Sequence, residues 1–166
     1  MEISANLVKE LREKSGAGVM DCKRALQEAE GDLQKAMEAL RVQGLSQVAK
    51  RSGREAGQGI VESYLHGGGR IGVLVEVNCE TDFVARTSDF RELAHDVAMQ
   101  IAATDPHSVG NEGEESEAAA DGALPLLQQP FIKDPGRTIA DIVRDTAAKT
   151  GENIIIRRFV RYELGN

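Results

Sequence analysis

Three carboxylates and one aromatic ring crowd the stretch EVNCETDFVAR, Glu76 to Arg86, where one residue pattern stops and another begins. Glu76, Glu80 and Asp82 are of the type that binds a divalent cation or shares acid and base duties. Alternation places Glu76 on the polar side of a strand and Asp82 beyond its end, so no spacing supports a preformed pair of carboxylates or a metal site. The step Thr81-Asp82-Phe83-Val84 offers a different chemistry. An aromatic next to a charge, on a loop at the carboxyl end of a strand, is the composition of a contact hot spot: an anchor for a pocket and a group that competes for a cation or a hydrogen bond.

Other candidate chemistry is sparse. Cys22 and Cys79 form neither a CxxC pair nor a cluster with His66, His95 and His107. Reduced, partly buried thiols are expected, and no zinc site. Gly67-Gly68-Gly69 is followed by no Lys-Ser/Thr and joins two strands, which makes it a hairpin tip and not a phosphate cradle. No nucleophile motif, P-loop or dinucleotide fingerprint is present. The residues therefore predict no enzyme, no cofactor, no metal and no small-molecule substrate.

The elements that must position this step follow from periodicity. Ile71, Val73, Val75 and Val77 alternate with Gly72, Leu74, Glu76 and Asn78, which predicts a strand paired as a hairpin with Ile60–His66. After Arg86, a helix capped by Asp89 is predicted, with Phe90, Leu93, Ala94, Val97, Ala98 and Ile101 as a stripe that must cover a sheet. His95 and Asp96 lie off that stripe and read as a solvated face. Further on, Asp134-Pro135-Gly136 reads as a turn into a helix capped by Thr138, with Ile139, Ile142, Val143 and Ala147 inward and Gly151 at its end. In the final strand, Ile154, Ile156, Val160 and Tyr162 are expected on one side and Ile155, Arg157, Phe159, Arg161 and Glu163 on the other. The sum is α+β: an antiparallel sheet of three strands with two helices on one face.

Ahead of this block, residues 1–45 predict three short helices. Ser4 or Asn6 caps the first, Asp32 caps the third, and the third ends before Gly44. Their apolar stripes are a small core, which leaves Val19 and Met20 on the glycine-rich corner as a contact surface. Residues 47–59 have no apolar face and read as linker. The expected organisation is a three-helix domain over 1–50, a linker over 51–59 and an α+β core over 60–166. Residues 104–123, with six acids and no Lys or Arg, are expected to form a flexible acidic loop.

The chain has 166 residues and a net charge of −7, with the acidic excess beyond residue 58, which argues against direct nucleic-acid binding. There is no apolar run long enough for a membrane span and no secretory signal at the start, so a cytoplasmic location is expected.

Two segments, LREKSGAGVMDCKRAL (Leu11 to Leu26) and EVNCETDFVAR, resemble in order the two signature stretches of the elongation factor Ts family. The tail from Gln129 to Gly165 is similar to the end of that family's core. The resemblance implies a ubiquitin-associated-like three-helix domain that docks on elongation factor Tu through the corner bearing Val19 and Met20. It implies that Thr81, Asp82, Phe83 and Val84 intrude beside the partner's nucleotide pocket and disturb its magnesium and phosphate site. GDP then leaves and GTP rebinds, without bond chemistry. Family members normally carry a longer, helix-containing stretch between Ala103 and Gln129. This chain has room for one core module, and short forms of that kind are similar to self-associating ones, so a homodimer is a further expectation. Two other readings stay open on the residues: a protein that holds elongation factor Tu without driving exchange, and a magnesium-dependent enzyme using Glu76, Glu80 and Asp82.

Overall fold

Short polar residues start the first and third helices, and glycines bound the gap between the first and second. Ser4 caps α1 (Ala5–Ser15) by accepting the Leu7 amide, and Gly16, at φ 68°, closes it with its own N–H on the Arg12 carbonyl. α2 (Val19–Glu28) begins at Gly18, which has no side chain to cap it. Asp32 caps α3 (Leu33–Arg51) through the Lys35 amide at 3.0 Å. Leu11, Cys22, Ala25, Leu26, Ala36 and Leu40 form the core of this unit, with Ile3, Leu7, Val8, Leu33 and Met37 packed around it. α3 runs on to Arg51, through Gly44 and through residues expected to be linker. A mid-helix Gly costs about 1 kcal/mol relative to Ala, and Leu45, Gln47, Ala49 and Lys50 are strong helix formers that offset it without an apolar stripe.

The computed structural model describes residues 3–111 and 122–166. The chain divides into two compact units, Met1–Arg51 and Ser52–Asn166. The second unit is built on a three-stranded antiparallel sheet in the order β1 (Gln58–His66), β2 (Ile71–Cys79), β5 (Ile155–Glu163). Between β2 and β5 come α4 (Asp82–Ala85), α5 (Ser88–Thr104), a 3-10 turn (Leu126–Gln128), the short ribbon β3 (Pro130–Phe131) and β4 (Asp134–Thr138), and α6 (Ile139–Thr150). Ile60, Glu62 and Tyr64 register with Val77, Val75 and Val73 on one face. There α5 lies on β1 and β2 and buries Phe90, Leu93, Val97 and Ile101. The opposite face carries Val61, Leu65, Leu74, Val160 and Tyr162, all exposed. The class is α+β, as the change of period predicts.

Several local expectations are corrected. α5 is capped by Thr87, whose hydroxyl accepts the Phe90 amide at 3.3 Å, while Asp89 sits in the first turn and binds Lys149 at 2.7 Å. Asp96 is not on a solvated face: it is buried, with its carboxylate 2.5 Å from the Lys133 ammonium. His95 lies 3.6 Å from the Glu62 carboxylate and edge-on to the Tyr64 ring. The turn before α6 falls at Ile132-Lys133, because Asp96 holds Lys133 and the Gln100 side chain takes the Ile132 amide at 3.0 Å. Asp134-Pro135-Gly136 is strand β4. α6 packs mainly on α5, the 3-10 turn and β4 instead of covering the sheet as a second layer.

Strict alternation also fails in β5. Glu76 pairs with Arg158 but Val77 with Ile156, so Arg157 is a bulge that flips everything after it. Ile156, Phe159 and Arg161 therefore turn toward α5's side, and Val160 and Tyr162 turn away. Arg161 then donates from Nε and Nη2 to the Ala102 carbonyl, at 3.2 and 3.1 Å, at the end of α5. Of the segment expected to be a flexible acidic loop, Ser108 and Val109 are tied down: their carbonyls accept the amides of Leu126 and Leu127, each at 3.0 Å. Residues 112–121 of that expectation lie outside the described residues.

Candidate contact site beyond the second strand

β2 delivers its last residue, Cys79, into the core, and the chain then makes one turn of helix where a loop was expected. The cause is Thr81. Held extended at φ −127° and ψ 155°, it accepts the Val84 amide on its hydroxyl at 3.4 Å and on its carbonyl receives the Ala85 amide at 3.3 Å. At the far end, the Thr87 hydroxyl donates to the Val84 carbonyl at 2.7 Å and turns the chain into α5. α4 is thus a four-residue turn pinned at both ends.

The turn sorts its side chains sharply. Ala85 is buried, Asp82 and Val84 are half-buried, and Phe83 is 77% exposed. The Asp82 carboxylate sits 2.9 Å from the Arg86 guanidinium, one turn on. That pair is exposed, so its own contribution to stability is small. Beneath the turn, burial pushes the Cys79 thiol above its usual range, and the Glu152 charge adds to the effect. Its protonated sulfur faces the Thr81 carbonyl at 3.1 Å, so Cys79 is a core thiol and not a nucleophile.

What fixes the base of the turn comes from a distant part of the chain. The Glu152 carboxylate, just past α6, accepts the Glu80 and Thr81 amides, both at 3.0 Å, and the Thr81 hydroxyl at 2.6 Å. In return the Glu80 carboxylate accepts the Asn153 amide at 2.7 Å and lies 3.7 Å from Arg54. Asn153 donates from its side chain to the carbonyls of Ser52 and Arg54, at 3.3 and 2.8 Å. Asn78 donates to the Ala56 carbonyl at 3.0 Å.

The three acids considered for metal or acid-base work are not gathered. Glu76 faces Arg158 at 2.8 Å on the open side of the sheet, Glu80 is committed to Asn153, and Asp82 to Arg86. Among the described residues no group of three or more His, Cys, Asp or Glu is placed to hold a metal ion. Val19 and Met20 lie in the first unit, in the opening turn of α2, 50% and 74% exposed. Glu152 and Asn153 escape a reading of the sequence because their partners are 71 to 101 residues away and nothing local marks them.

Comparison with known proteins bears on the family of the chain as a whole. The family model described as elongation factor TS matches residues 3–121. An elongation factor Ts from Carboxydothermus hydrogenoformans is 51% identical, over 98% of this chain and 89% of its own length. Those of Desulforamulus reducens and Moorella thermoacetica are each 50% identical, over 99% and 98% of this chain and 90% and 96% of their own. The first alignment runs over 194 positions against a chain of 166 residues, so at least 28 positions have no counterpart here. By family match and by near-complete identity-bearing coverage, the chain belongs to the elongation factor Ts family.

Proposed function

We propose that this chain is a cytoplasmic translation elongation factor that binds elongation factor Tu carrying GDP and promotes GDP release through α4. The observation that carries the reading is Phe83: an aromatic ring left in water on a turn pinned at both ends. Burying such a ring stabilises by about 1.5–3 kcal/mol, a gain this chain leaves for a partner to realise. Asp82 beside it supplies the charge. Magnesium demands near-ideal octahedral geometry, so a ring wedged next to its ligands, with a carboxylate competing for the same cations, weakens the grip on the phosphates. Linkage makes the effect reciprocal: a factor that lowers nucleotide affinity is itself expelled by incoming nucleotide to the same extent. No bond is made or broken, and Thr81 and Val84 serve as the cap and the half-buried flank of the wedge. Val19 and Met20, exposed on α2, form the docking surface of the first unit.

Release of a fluorescent GDP analogue from elongation factor Tu tests this. The variant D82A/F83A is expected to lose about 30-fold or more of the acceleration, as removal of a hot-spot residue costs about 2 kcal/mol or more. Release as fast as with the parent protein rejects the wedge.

A second association is supported by the uncovered face of the sheet, where Val61, Leu65, Leu74, Val160 and Tyr162 stand together in neighbouring registers. We infer a homodimer that buries this face against its copy. Sedimentation at micromolar concentration is expected to give a dimer that L74E converts to monomer. A monomeric parent refutes it.

A further inference from the structure

We propose that Glu152 is a positioning residue for exchange: its carboxylate sets the attitude at which α4 presents Asp82 and Phe83. The inference rests on the wedge reading above and adds a residue that no part of that reading requires.

A four-residue helix cannot hold its own direction. Forming one turn fixes several residues for a single hydrogen bond, so isolated turns are unstable and must be braced from outside. Of its four residues α4 fully buries only Ala85, against β1, β2 and α5, so its direction depends on how its ends are held. The brace is the base of the turn, where three donors converge on one carboxylate: Glu80 N and Thr81 N on Oε2, and the Thr81 hydroxyl on Oε1. Because the Thr81 hydroxyl is pledged to Glu152 as a donor, its lone pair is aimed at the Val84 amide, so the distant carboxylate orients the cap as well as the backbone before it.

Both the residue type and its place fit the task. A carboxylate only accepts, so it satisfies all three donors at once. The amide of Gln would have to turn its NH2 toward one of them. Bonds to an ionised acceptor are also roughly twice as strong as neutral ones. Gly151, at φ 77°, ends α6 in the left-handed conformation and swings Glu152 back toward β2. The matching bond from Asn153 N to Glu80 Oε1 locks the two backbones together, and all of these contacts lie beyond Asn78↔Ile155, the last pair in the β2–β5 ladder at this end. The sheet is already in register without them. What they add is control of the chain after the strand has ended.

The test is the saturation curve of GDP-analogue release from elongation factor Tu with E152Q and E152D in the full chain. The maximal release rate with E152Q is expected to fall about tenfold, the size of one charge-assisted hydrogen bond lost, while the half-saturating concentration changes less than twofold. E152D, which keeps the carboxylate, is expected to recover part of the rate. Amide exchange at Glu80 and Thr81 should rise in E152Q, and melting should fall by a few degrees, about what one lost bond costs. A role confined to folding would give the same lower melting but a normal maximal rate for the folded fraction. An unchanged maximal rate with E152Q therefore overturns the proposal. If D82A/F83A is impaired and E152Q is not, only the positioning role falls. If D82A/F83A itself releases GDP like the parent, both fall together.

Discussion

Two helices in this chain hold a large apolar side chain in water within their first turn, Met20 in α2 and Phe83 in α4, and they are held in opposite ways. α2 begins with Val19 and Met20 and continues for ten residues, burying Cys22, Ala25 and Leu26 in a core built from residues 3–40. It has no side-chain cap, since Gly18 precedes it. α4 presents Phe83, is four residues long, and depends on a cap and on a carboxylate 71 residues away. The first side chain is placed by burial of the same helix's other face. The second is placed by hydrogen bonds at its root. Burial through a soft aliphatic core tolerates adjustment, whereas three bonds on one carboxylate fix a direction, which is what the proposed wedge role of Phe83 would require.

The largest effect should come from removing the burial that supports α2. L26A deletes a fully buried side chain at the centre of the first unit. Such a deletion costs about 2–5 kcal/mol. Folded chains of this size are stable by only about 0.05–0.15 kcal/mol per residue, so the loss takes most of what a unit of 51 residues has. Amide exchange should show α1, α2 and α3 losing protection, while β2 and α5, whose buried face is made by Val75, Val77, Phe90 and Ile101, keep theirs. Equal loss of protection in both units would mean that α2 is not held by its own core.

The same contrast explains what could be read from the sequence. Elements held by their own periodicity were legible: Leu11, Leu26 and Leu40 announce the three-helix core, Val73, Val75 and Val77 the central strand, and Thr138 with Asp141 the start of α6. Phe83 was legible as an anomaly, because a ring at a strand's end has no local use. What escaped depends on partners remote in sequence. Asp96 looked solvated because Lys133 is 37 residues away, and the Arg157 bulge has no local signature yet reverses the facing of Val160 and Tyr162. Glu152 is one acid among 27 Asp and Glu, and only the fold brings it beneath Thr81.

A smaller effect is expected at the root of α4. T81V keeps the shape of the side chain but removes both the acceptor for Val84 N and the donor to Glu152. Losing a cap costs about 1 kcal/mol. In α4 that loss is felt in direction, so exchange should fall about fivefold alongside it. T138V is the comparison: its hydroxyl accepts Asp141 N at 3.2 Å and caps the twelve-residue α6, which buries Ile139, Ile142, Val143 and Ala147. It should cost similar stability and leave the GDP-release rate alone. If the two variants slow release equally, α4 owes nothing special to its cap.

The smallest effect, and the one opposite in sign, is expected at Gly18. Its φ of −62° and ψ of 150° are those of an ordinary N-cap, open to any L residue, so the missing cap of α2 can be supplied without strain. In G18S the new hydroxyl would accept the amide of Asp21 three residues on, and the Asp21 carboxylate could complete a reciprocal cap. Two things limit the gain. The added Cβ would meet Asp21 Oδ2 at 3.3 Å, and that carboxylate already binds Arg24 at 2.6 Å. Since the Asp21–Arg24 pair is exposed, its partial loss is minor, and the Asp21 side chain can yield by the few tenths of an ångström required. Replacing Gly by Ser at a cap gains only a few tenths of a kcal/mol, so the melting of the three-helix unit should rise by about 1–2 °C. GDP release should be unchanged if Val19 and Met20 serve through their exposure alone. A slower release with the same or higher melting would instead mean that the uncapped start of α2 must flex on docking, and the contrast between a soft first contact and a fixed second one would become a functional one.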